Sequence, residues 1–218
     1  MTRQEVTIRL AEGDLGATLT LPASPPRGII VFAHGSGSSR FSPRNRYVAD
    51  ELTIDGFATL LTDLLTPAEE RVDNITAQFR FDVELLASRL LEATKWLKGR
   101  PALSTLPVGY FGASTGAAAA LIAAAESGEA VKAIVSRGGR PDLAGDALLR
   151  VTAPTLLIVG GNDPEVIDLN RRAQAQMTSA ERELVIVPGA GHLFEELGAL
   201  EHVANLAKQW FDAKLAST

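Results

Sequence analysis

The run Gly28-Ile29-Ile30-Val31-Phe32-Ala33 is continuously apolar, the pattern of a strand covered on both faces. Comparable short runs at Phe57 to Leu61, Val108 to Phe111, Val131 to Val135, Pro154 to Gly160 and Glu183 to Val187 predict further strands. Between them, apolar residues recur at helical spacing. Leu86, Leu90, Ala93 and Leu97 line one face of a helix expected from about Asp82 to Lys98, and Val203, Leu206, Ala207, Trp210 and Phe211 line a closing helix from Gly198 to Lys214. Other helices are expected after Ser42, with Pro43 at the first helical position and Gly56 at the close, in the alanine-rich stretch after Gly116, and from Glu165 to Met177. The polar segment Thr66 to Phe79 reads as a connection, and Ser136 to Thr152 as a loop with one short helix. Ahead of these, Glu5 to Leu10 and Leu15 to Leu21 alternate apolar and polar residues around Glu12-Gly13-Asp14, as in an antiparallel hairpin at a sheet edge.

Strands alternating with helices after a hairpin imply an α/β architecture, an eight-stranded mostly parallel sheet with helices on both faces. With no internal repeat or linker, residues 1–218 are expected to form a single domain. The connections are short, including the one after the sixth strand, so no large lid is expected over the sheet edge.

Composition narrows the function. A formal net charge of -5, with no basic run, argues against a nucleic-acid partner. No apolar segment is long enough to span a bilayer, and the first residues do not form a signal peptide. A cytoplasmic protein without a membrane partner is expected, as a monomer or homodimer. Cysteine is absent, which excludes disulfides, thiolate metal sites and a cysteine nucleophile.

The chemistry centres on Gly112-Ala113-Ser114-Thr115-Gly116, a G-x-S-x-G match that follows a predicted strand and opens a predicted helix. Such a turn strains the central residue and lifts its hydroxyl clear of the sheet edge. Ser114 is therefore read as a nucleophile. Its partners should follow in the order acid, then histidine. Asp163 comes directly after the strand ending at Gly160, where it also reads as a helix cap before Pro164; Glu165, Asp168 and Glu195 are nearby reserves. His192 lies in a glycine-rich loop after the last strand and is the candidate base, whereas His202 sits within the closing helix. The backbone N–H groups of Ser36 and Thr115 are the natural donors to a tetrahedral oxyanion.

His34 follows the first buried strand, either bonding within its loop or touching substrate. Arg40, Arg44, Arg46, Arg137 and Arg140 can gather at the same edge, either to bind a substrate carboxylate or to pair with Glu69, Glu70 or Asp73. His34, Arg44 and Arg137 are the candidate substrate contacts. The Gly35-Ser36-Gly37 loop lacks the third glycine of a dinucleotide fingerprint, and no P-loop lysine is present.

The His34-Gly35-Ser36-Gly37 loop, the Ser114 elbow, Asp163 after Gly160-Gly161-Asn162, and Gly191-His192 together resemble an α/β-hydrolase, most closely the dienelactone hydrolase branch. The resemblance spans nearly the whole chain. It implies the α/β-hydrolase fold and hydrolysis of small carboxylic esters through an acyl-serine, without cofactor or metal. One departure is that the branch's usual cysteine nucleophile is Ser114 here, which points away from dienelactone itself as substrate. Other readings are an acyltransferase or thioesterase using the same triad, or a noncatalytic ligand-binding protein on this fold.

Overall fold

A computed structural model describes residues 1–177 and 181–215. Eight strands form one sheet: β1 (Thr2–Arg9), β2 (Asp14–Leu21), β3 (Ile29–Ala33), β4 (Ala58–Thr62), β5 (Val108–Ala113), β6 (Val131–Arg137), β7 (Thr155–Gly160) and β8 (Arg182–Val187). Across the sheet they run β1-β2-β4-β3-β5-β6-β7-β8. The expected hairpin β1–β2 forms one edge, and β2 also lies antiparallel to β4; from β4 through β8 all neighbours are parallel.

The helices are α1 (Pro43–Ile54), α2 (Pro67–Thr76), α3 (Val83–Lys98), α4 (Thr115–Ser127), α5 (Pro164–Gln176) and α6 (Ala199–Leu215), with a 3-10 segment at Pro141–Arg150 after β6. Strand alternation divides the core between the two faces of the sheet. Ile29, Val31 and Ala33 pack with Leu86, Leu90 and Leu97 of α3 and the alanines of α4. Ile30 and Phe32 point the other way, toward Val48 and Leu52 of α1 and Val203 and Phe211 of α6. α4 is buried without a break from Thr115 to Ala124, which explains why its sequence carries no polar face.

One expectation fails. The segment read as a connection from Thr66 to Phe79 contains α2. Thr66 and Glu69 form a reciprocal capping box and Pro67 takes the first turn, so the start signal was present. What was missing is an apolar stripe: Val72 and Ile75 are exposed, and α2 is held mainly by polar ties instead. Glu69 pairs with Arg89, and Asp73 accepts from the Phe79 and Arg80 N–H groups and from the Arg80 side chain.

Candidate active site

Parallel strands deliver their C-terminal ends to one side of a sheet, and β3, β5, β6, β7 and β8 all end there. β5 passes directly into α4 through Ser114, whose backbone sits at φ +51°, ψ -121°. A non-glycine residue in that region costs on the order of 1–3 kcal/mol and is held only when its surroundings enforce it. Here they do. The Ser114 N–H donates to the Arg137 carbonyl at 3.2 Å, and its own carbonyl accepts from Arg140 N–H at 3.1 Å and from Ala117 N–H at 3.0 Å. Glycine is required on both sides: a Cβ on Gly112 would lie 2.5 Å from Ala117 Cα, and one on Gly116 would lie 2.5 Å from the His34 carbonyl oxygen.

Asp163 occupies the N-cap position of α5, yet its side chain makes no capping hydrogen bond. The carboxylate instead meets His192, Oδ2 to Nδ1, at 2.7 Å. The two loops that carry this pair are stitched together, with Asn162 N–H on the Ala190 carbonyl at 2.9 Å and Asn162 Nδ2 on the Gly189 carbonyl at 2.8 Å. Beyond His192 the loop is fixed by Gly191 N–H on Glu196 Oε1 at 2.9 Å and by a strained Phe194, at φ +56° and fully buried. A carboxylate on Nδ1 sets the imidazole tautomer with the proton on that nitrogen and leaves Nε2 as the basic atom.

Ser114 and His192 line one pocket of about 260 Å³, together with Gly35, Ser36, Asn45 and Arg137. Ser36 lies on a tight turn closed by Ser38 N–H on the Gly35 carbonyl at 3.2 Å. The Thr115 N–H belongs to the first turn of α4, where helix donors lack intrahelical acceptors. Among the described residues no group of His, Asp and Glu is arranged to hold a metal ion, and no helix is long and apolar enough to cross a membrane.

A family model described as the dienelactone hydrolase family matches residues 15–214. A crystal structure of a dienelactone hydrolase from Anabaena variabilis is 56% identical, covers 98% of both chains and superposes with a TM-score of 0.94. The chain belongs to the dienelactone hydrolase family. Est1E from Butyrivibrio proteoclasticus shares the fold at 17% identity, covering 98% of this chain and 99% of its own, with a TM-score of 0.81. Two Mycobacterium tuberculosis proteins, named provisionally as phosphoribosyl transferases, are 60% identical over 208 residues, 95% of this chain. The chain spans about half the length of these curated relatives, 46%.

In this dienelactone hydrolase family member the remaining candidates part company. His34 is buried, its Nε2 accepting from Leu64 N–H at 3.1 Å and its Nδ1 donating to the Gly35 carbonyl at 2.9 Å. With both nitrogens on backbone, His34 has none left for substrate, which corrects its placement among the substrate contacts. Burial also pushes its pKa below the usual histidine value. Among the described residues, none of the five candidate arginines, Arg40, Arg44, Arg46, Arg137 and Arg140, pairs with Glu69, Glu70 or Asp73. Arg40 pairs with Asp63 and Glu5, Arg44 with Glu195 at 2.8 Å, and Arg140 with Asp142 at 2.8 Å, while Arg46 stacks over Phe41. Glu195 and Asp168, held as reserve acids, face Arg44 and Arg171. Arg137, the last residue of β6, stays in the pocket without a carboxylate partner among the described residues. Asn45, which sequence reading passed over, lies buried beside it and accepts from Arg137 Nη2 at 3.4 Å.

Proposed function

We propose that this hydrolase-family chain is a serine hydrolase of small carboxylic esters, with Ser114 as nucleophile, His192 as general base and then acid, and Asp163 as the group that orients the imidazole. The observation that carries the reading is the Asp163 carboxylate: it occupies a helix cap position, leaves the cap unmade, and bonds His192 Nδ1 at 2.7 Å beside the strained Ser114. A serine hydroxyl is a weak nucleophile until an imidazole takes its proton. Attack on the ester carbonyl forms a tetrahedral oxyanion, for which the Ser36 and Thr115 N–H groups are the proposed donors. Collapse expels the alcohol, protonated by His192, and leaves an acyl-serine; water, deprotonated by His192, then releases the acid.

The pocket of about 260 Å³, partly open at the sheet edge, suits a small acyl group rather than a lipid chain. An acyltransferase or thioesterase would share the acyl-enzyme and differ only in acceptor or leaving group. The transfer named for the M. tuberculosis relatives belongs to proteins about twice as long and is not carried over to this chain.

Intact-protein mass spectrometry after fluorophosphonate treatment tests the proposal. One adduct is expected on the wild type, and none on Ser114→Ala or His192→Ala. Unlabelled wild type, from folded protein and with a reagent that labels a control hydrolase, would refute it.

A further inference from the structure

Asn45 is a buried amide with only one end in use. It is the third residue of α1, where its N–H donates to the Ser42 cap oxygen at 3.3 Å. A glutamate or glutamine at that position would reach back to the N–H of the cap residue and close a capping box. Here the Ser42 N–H already donates to the Ser39 carbonyl at 3.0 Å, and the Asn45 side chain turns into the protein, with the residue 2% exposed. Its Oδ1 accepts from Arg137 Nη2 at 3.4 Å. A guanidinium carries donors only, so it fixes which end of the amide faces it: the oxygen turns toward Arg137 and the nitrogen away. Nδ2 has no acceptor among the described residues. Arg137 Nε and Nη1 are orphaned and sealed from solvent, whereas Asn45 Nδ2 is not sealed.

The space that Nδ2 meets is the pocket of Ser114 and His192, which Asn45 lines together with Ser36, Ser38 and Ser42. Serine hydroxyls turn to donate or to accept, but an amide held at its oxygen can only donate at its other end. A ligand that fills this pocket must therefore offer Nδ2 an oxygen or leave it unpaired, the costly case for a buried donor. We infer that Asn45 is a specificity-determining residue: Nδ2 donates to a carbonyl oxygen carried on the acyl group, so the substrates are esters of short acids that bear an oxo or amide group. The inference rests on the serine hydrolase reading and adds the polarity of the acyl group to it. A carbonyl oxygen needs donors alone. A hydroxyl would also need an acceptor for its proton, and with Oδ1 committed to Arg137 the amide has none to give.

The test uses two pairs of p-nitrophenyl esters, levulinate with valerate and 5-oxohexanoate with hexanoate, in each of which a carbonyl replaces a methylene at constant chain length. The ratio of kcat/KM, oxo ester over plain ester, is divided by the same ratio for hydroxide, which removes the difference in intrinsic reactivity. For wild type, at least one corrected ratio is expected to be about 10-fold in favour of the oxo ester. In Asn45→Asp the carboxylate keeps a partner for Arg137 but turns an oxygen, not an N–H, toward the pocket, and the ratio should fall to about 1 or below; Asn45→Ala should bring it to about 1. Corrected ratios of about 1 for both pairs in wild type overturn the inference, as does a preference that survives in Asn45→Asp or Asn45→Ala whatever the rates themselves do; turnover leaves the hydrolase reading standing in either case. If Ser114 takes the fluorophosphonate but no ester is turned over, levulinamide and valeramide are compared as protectants. Labelling slowed by levulinamide alone, with the effect lost in Asn45→Asp, upholds the inference, and equal protection or none refutes it. If no ester is turned over and no adduct forms, the hydrolase reading falls and takes this inference with it.

Discussion

His34 and Arg137 are buried bases that the fold handles in opposite ways. His34 spends one nitrogen as acceptor and the other as donor, an arrangement available only to the neutral ring. Its pKa is lowered by burial, so between that lowered value and the ordinary histidine pKa of about 6.5 the unfolded chain binds a proton that the folded chain refuses. The stability this provides is complete above about pH 6.5 and is lost as pH falls through the window below, at no more than about 1.4 kcal/mol per pH unit. Urea unfolding at pH 5 and pH 7 should show that slope in wild type. It should be diminished in His34→Gln, whose amide can accept from Leu64 N–H but does not titrate. The bond to Gly35 lies within the loop, as one of the two sequence readings had it, whereas Leu64 N–H, 30 residues away, is brought to the ring only by the adjacent ends of β3 and β4. Asp163 was more readable: strand, turn and proline placed it at a helix start, chain order named it as the acid ahead of the histidine, and its carboxylate lies on His192 Nδ1 with the cap unmade.

Among the elements, the elbow between β5 and α4 tolerates least change. The Cβ of a Gly116→Ala variant would press on the carbonyl oxygens of both Ala33 and His34, and backbone at the end of a central strand has nowhere to move. That substitution should cost about 3 kcal/mol or more, read as a lower urea midpoint, and should also slow fluorophosphonate labelling by displacing Ser114. Elements whose sequence states their burial were read well. β3 and β5 are apolar throughout because helices cover both faces, and the alanines of α4 announce a helix with no solvent side. α2 escaped because propensity and periodicity disagreed. Its capping box says helix, whereas its exposed Val72 and Ile75 say nothing of a core-facing stripe. Ion pairs settle that conflict, Asp73 with Arg80 7 residues on and Glu69 with Arg89 20 residues on, and neither registers as an apolar period.

For the whole molecule, the order of elements and the edge at which the site forms followed from strand–helix alternation. The pairing of charges did not. Arg44 meets a carboxylate 151 residues away, and such a meeting depends on how far two long side chains reach across different loops. The same blindness concealed that Arg137 meets none among the described residues. An uncompensated cation in the interior makes the native state less stable than it need be, so Arg137→Met should raise global stability by about 1–3 kcal/mol in urea or thermal unfolding.

The hydrogen bond from Ser114 N–H to the Arg137 carbonyl, with the return bond from Arg140 N–H, makes the hydroxyl and the guanidinium parts of one piece of sheet rather than of two independent loops. The backbone that strains the serine is thus held from the neighbouring strand. A loosening of β6 against β5 would relax the elbow even with both of its glycines intact.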